Sequence, residues 1–119
     1  MSSYEFSLPF PPSVNSLRAC VRGRMITSKK GREYFKEVEM ALCILCLHGE
    51  GIEKPVRISL VMHAKTNRLY DVSNFLKAYE DALVKCGFIV DDHLIECGSI
   101  KKGEKIKEGR LDIKVEVLE

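Results

Sequence analysis

DVSNFLKAYEDALVKCGFIVDD, residues 71–92, decides how this chain folds. With successive residues about 100° apart, Val72, Phe75, Leu76, Tyr79, Ala82, Leu83 and Cys86 fall in one stripe. Asn74, Lys77 and Asp81 lie opposite, Asp71 is placed to cap the helix, and Gly87 stops it. Phe88 to Val90 is apolar and reads as an extended return towards Asp91-Asp92. The segment is therefore an amphipathic helix followed by a tight way back.

Working outward, Val56, Ile58, Leu60 and Met62 alternate with polar residues and predict a strand before this helix. After it come a weaker strand from Leu94 to Ile100 and a loop from Lys102 to Gly109 that reads as a hairpin connection. Leu111, Ile113, Val115 and Val117 then alternate with charges, as in a half-exposed antiparallel strand. Towards the N-terminus, Tyr4, Phe6 and Leu8 form a strand ended by Pro9. Thr27 or Ser28 caps a helix reaching about Leu47, with Tyr34, Val38, Leu42 and Leu45 on its apolar face. The stretch from Pro11 to Met25 has neither period and predicts a long loop. The expected fold is α+β: one mixed four-stranded sheet with two helices, in the order β-α-β-α-β-β.

Length and composition agree with one domain over residues 1–119. Hydrophobic residues at 45% and charged residues at 30% exclude a disordered or fibrous chain. The longest apolar stretch, Ala41 to Leu47, is far short of the roughly 20 residues that span a bilayer. Met1 to Glu5 carries neither a basic nor an apolar signal region, so the expectation is a cytoplasmic protein with reduced cysteines.

The net charge of +2 says little about partners, but its distribution says more. Arg18, Arg22, Arg24, Lys29, Lys30, Arg32 and Lys36 are opposed within their segment only by Glu33. Lys101, Lys102, Lys105, Lys107 and Arg110 form a second cluster, diluted by Glu104 and Glu108. Such patches suit a polyanion, and equally a solvated surface.

The acids offer chemistry. A helix from Val72 to Cys86 is about 22 Å long. The six residues from Gly87 to Asp92 span about 20 Å when extended, just enough to return Asp91-Asp92 towards Asp71. Carboxylates converging at a helix N-terminus suit Mg²⁺, and the terminus itself attracts the phosphate that the cation bridges. Each acid also has a plainer role, Asp71 as a cap and Asp91-Asp92 as a polar turn. Lys77 either pairs with Asp81 four positions on or neutralises charge on a phosphate. Cys43, Cys46 and His48 lack a second metal-ligand pair, and the two cysteines read as buried apolar groups.

Two stretches carry a family resemblance. Leu8-Pro9-Phe10-Pro11-Pro12-Ser13-Val14-Asn15 resembles the strand-then-PPSxN opening of the RusA-type Holliday junction resolvases. Asp71 to Lys77, Asp81-Ala82-Leu83, Gly87-Phe88 and Asp91-Asp92 resemble that family's DxDNxxK…DAL…GF…DD signature. The resemblance implies a homodimeric, Mg²⁺-dependent endonuclease that nicks four-way branched DNA symmetrically. It implies Asp71, Asp92 and Lys77 as catalytic residues, with Asp71, Asp92 and Asp91 at the metal. Arg18, Arg22, Arg24, Lys29, Lys30 and Arg68 are the candidate DNA contacts. Ser73 departs from the signature, standing where a second aspartate is expected, and Glu96 would replace it if 92 and 96 share a strand face. The alternative function is a related branched-DNA-binding protein that cuts weakly for want of that carboxylate. An interaction protein without a DNA role is the third.

Overall fold

β4 (Val56–His63) and β5 (Ile95–Lys102) are parallel neighbours, so the chain between them must cross over, and the 71–92 segment is that crossover. The computed structural model describes residues 2–67 and 69–118. β6 (Arg110–Val117) pairs antiparallel with β4 on its other side, and β1 (Ser3–Leu8) pairs antiparallel with β6. The sheet order is β1-β6-β4-β5, mixed and four-stranded as the sequence predicts.

Alternation sets the core face. Val56, Ile58, Leu60 and Met62 of β4 are buried, and so are Leu111, Ile113, Val115 and Val117 of β6. Against them pack Tyr34, Val38 and Leu42 of α2 (Lys29–Ile44) and Ala78, Tyr79, Ala82 and Leu83 of α3 (Leu76–Lys85), in one cluster. Phe88 seals this layer edge-on to the rings of Tyr4 and Phe6, with centroids 5.4 and 5.5 Å away. Burying a side chain such as Leu83 contributes about 1.5–3 kcal/mol.

The predicted long loop is where the structure differs most. Val14–Leu17 forms a short helix, α1, and β2 (Arg18–Val21) pairs with β3 (Arg24–Thr27) as a separate two-stranded ribbon. Its turn, Arg22-Gly23, has positive φ at both residues (52° and 75°), the primed geometry that matches strand twist. The chain order is therefore β-α-β-β-α-β-α-β-β. At the base of the ribbon the Ser28 hydroxyl accepts from the Gly31 amide at 3.0 Å and donates to the Ser16 carbonyl. Gly31 is required there, because a Cβ would meet the Leu17 carbonyl oxygen at 2.8 Å.

Three further expectations are corrected. The helix from Asp71 begins as a 3-10 turn, Val72–Phe75, and becomes α-helical only at Leu76. The 103–109 connection is not a hairpin loop: β4 lies between β5 and β6, and the loop crosses its end. Gly103 and Ile106 donate there to the Met62 and Ala64 carbonyls. Helix α2 ends at Ile44; Cys43, on its solvent side, and Cys46, beyond its end, are both exposed, while Cys86 is buried. No helix among the described residues is long and apolar enough to cross a membrane.

Candidate active site

The crossover places its charged residues by its own local turns. Asp71 caps the 3-10 turn, its Oδ1 accepting from the Ser73 amide at 3.2 Å and the Ser73 hydroxyl at 2.9 Å. Lys77 is the second residue of α3, and the return path brings Asp92 to it. The Lys77 Nζ lies 3.1 Å from Asp81 Oδ1 and 3.6 Å from Asp92 Oδ2, so the pairing with Asp81 is realised and Asp92 shares the same ammonium. Hydrogen bonding to Asp81 and its charge, reinforced by Asp92, raise the Lys77 pKa against a smaller opposing effect of burial. The ammonium stays protonated. Lys77 and Asp92 are each nearly half exposed, at 44% and 45%, so both are open to a ligand.

Asp91 lines the same groove as Asp92 and is held by its own turn. Its carboxylate accepts from the His93 amide at 3.1 Å and faces His93 Nδ1 at 3.0 Å, which lowers its pKa to about 2. Asp92 opens a second 3-10 turn, Asp92–Leu94, so it shares no strand face with Glu96. Glu96 pairs instead with Arg57 at 3.2 Å.

Beside the carboxylates lies a groove of about 410 Å³, and the basic ribbon forms its other bank. Arg18 and Thr27, paired at the base of the ribbon, line it together with Asp81, Lys85, Asp91 and Asp92. Arg22, Arg24, Lys29 and Lys30 are exposed further out. Arg68 lies outside the described residues.

Glu80 was not legible as part of this group. Burial raises its pKa first, the charge of Asp92 raises it further, and Lys77 opposes them. The signal available in the sequence was its position next to Tyr79, at the margin of the apolar stripe.

Oxygen donors are what a hard divalent cation takes, and Mg²⁺ is held by one or two carboxylates while keeping several waters. The exposed carboxylates of Asp71 and Asp92 fit that chemistry, and Ser73 adds a neutral hydroxyl. Among the described residues no three His, Cys, Asp or Glu side chains form a metal-holding group.

A parallel crossover here sets acids and a lysine beside a basic ribbon, an arrangement that suits a polyanionic substrate. The family model described as endodeoxyribonuclease RusA matches residues 9–117, nearly the whole chain. The chain belongs to the RusA family. It is 33% identical over 119 residues to a crossover junction endodeoxyribonuclease of Enterobacteria phage HK97, covering 100% of this chain and 98% of the relative. Proteins of the same description from Escherichia coli K12 and Shigella sonnei are each 34% identical over 115 residues, covering 97% of this chain and 95% of theirs.

Proposed function

We propose that this endonuclease resolves four-way DNA junctions by Mg²⁺-dependent, paired and symmetric nicks, acting as a homodimer. The observation that carries the reading is the groove in which Arg18 faces Asp91 and Asp92 while Lys77 reaches Asp92. A strand lying there has cations for its phosphates and carboxylates beside the bond to be cut. The names of the relatives supply the branched substrate.

Asp71 and Asp92, with Asp91 beside them, would hold the Mg²⁺. When bound, the ion supplies Lewis-acid polarisation of the phosphate and a water of lowered pKa. Lys77 brings a fixed positive charge to the phosphoryl oxygens as negative charge develops there. Asp81 anchors the ammonium from the helix side, so its position does not depend on the substrate. The Ser73 hydroxyl donates to Asp71, orienting a carboxylate that a second aspartate would repel. Arg18, Arg22, Arg24, Lys29 and Lys30 contact phosphates, which sets register rather than sequence preference. One chain offers one such site, so paired nicks call for a second copy.

The test compares four-way and linear duplex DNA, each with Mg²⁺ and with chelator. Cleavage confined to the junction with Mg²⁺, in both opposed strands, is expected. Binding without cleavage at any Mg²⁺ concentration would favour the non-cutting alternative.

A further inference from the structure

A second cleft, about 700 Å³, is lined by Ser13 and Ser16 at α1 and by Tyr70, the residue just before Asp71 in the chain. Its walls are the rings of Phe10, Tyr70 and Phe75, packed in a triangle with centroids 5.3 to 5.9 Å apart. Tyr70 and Phe75 flank Asp71 in the chain, so the cleft and that carboxylate are parts of one local structure. Lys102 fixes the shared segment, donating to the Tyr70 carbonyl at 2.7 Å with its Nζ 4.4 Å from the Tyr70 ring centre.

Three observations select the occupant. Lys30 and Lys65 on the lining are balanced by Glu33 and Glu37, so the cleft offers no net charge to hold a phosphate and suits a neutral group. Tyr34 also lines it, and its hydroxyl is buried with no hydrogen-bond partner among the described residues. A buried donor without an acceptor is costly, and a heteroaromatic ring brings acceptors. At the lip, Leu69 is 96% exposed, an apolar side chain held in water two residues before Asp71. DNA-bending proteins insert such side chains between base steps, and aromatic walls receive bases displaced from the stack.

We infer that the cleft bounded by Phe10, Tyr70 and Phe75 takes up one nucleobase, unstacked by Leu69 beside the scissile phosphate. The inference rests on the junction-cleaving reading above, and it adds a base-contacting subsite to a surface otherwise built for phosphates. Unpaired or poorly stacked bases at a branch point enter at lower cost than those within a duplex.

The experiment uses the full chain and a four-way junction carrying 2-aminopurine, a base whose emission rises on unstacking. The probe is placed in turn at each nucleotide flanking the branch, in chelator, with binding followed in parallel by gel shift. The expected result is a rise at one or two positions with wild type. Leu69→Ala, a surface change that leaves the core untouched, loses most of that rise. Phe10→Leu keeps an apolar wall without the ring and weakens junction affinity roughly tenfold, the scale of one lost base–aromatic stack. No rise at any position with the junction fully shifted would overturn the inference alone. An undiminished rise in both variants would overturn it too. Failure of wild type to shift the junction, seen in the gel first, would instead remove the functional reading on which it rests.

Discussion

The basic ribbon β2–β3 and the net acidic crossover from Asp71 to Asp92 are held in place in opposite ways. The ribbon lies outside the main sheet, most of its side chains are exposed, and it is tied to the rest through Leu17, Ser28 and Gly31. The crossover is anchored by Ala78, Tyr79, Ala82 and Leu83 in the core, so the side chains it presents inherit the rigidity of the sheet. Phosphate contacts tolerate imprecision because they act through charge. Bond cleavage does not, since small displacements of a catalytic group cost large factors in rate. The molecule assigns each task to the element with the matching stiffness.

The sharpest way to break that division is at Asp92. Asp92→Asn should lower junction cleavage by roughly 10²–10³-fold, the scale of removing one preorganised charge, with junction binding kept. Parallel rate and gel-shift measurements check it, and a loss of binding as large as the loss of rate would merge the two regions. Next comes stability. Leu83→Ala should cost about 2–5 kcal/mol in denaturant unfolding. Ile26→Ala on the ribbon should stay within about 0.5 kcal/mol. Gly31→Ala should cost about 1–3 kcal/mol, because its Cβ meets the Leu17 carbonyl, and should weaken DNA binding by displacing the ribbon.

Smaller effects sharpen the comparison. Arg22→Asn keeps a residue that tolerates positive φ while removing the charge, and Arg24→Ala removes a second one. Each should reduce the salt slope of junction affinity by about one, one phosphate contact apiece. The smallest effect concerns Glu80, whose pKa is raised by burial and by Asp92. A raised carboxylate pKa means that ionisation on raising the pH costs stability in the folded state. With chelator present, Glu80→Gln should therefore raise Tm near neutrality, and the gain should vanish below about pH 4, where glutamate is protonated folded or unfolded. A constant difference at all pH values would mean that packing, not charge, separates the two proteins.

Much of the core was legible because one side of each element is buried. β4, β6 and α3 declare themselves through period, and Tyr34, Val38 and Leu42 do the same for α2. The ribbon was missed for the converse reason: with both faces in water, Arg18 to Thr27 has no alternation to read. Its Arg22-Gly23 turn also lacks the usual asparagine or aspartate before glycine. The 3-10 start after Asp71 was hidden because local capping by Asp71, which accepts from the Ser73 amide, and not apolar period, tightens the backbone there. Strand order was inaccessible at 103–109, since alternation identifies strands without naming their neighbours. At the site, the family signature singled out Asp71, Lys77 and Asp92, and the return path supplied a reason for Asp92. That Arg18 shares a groove with Asp91 and Asp92 depends on the ribbon, and was lost with it.

The position of β6 has a consequence for synthesis. It is the last strand among the described residues, yet it lies between β1 and β4, with Ser3 opposite Glu116 and Val56 opposite Val117. A growing chain therefore holds β1 and β4 with an unfilled slot between them until β6 has emerged from the ribosome. The four-stranded sheet can close only after that point, so its central pairings form late in synthesis. A stop codon anywhere before Arg110 would yield a chain with no centre, a substrate for proteases rather than a weakened enzyme.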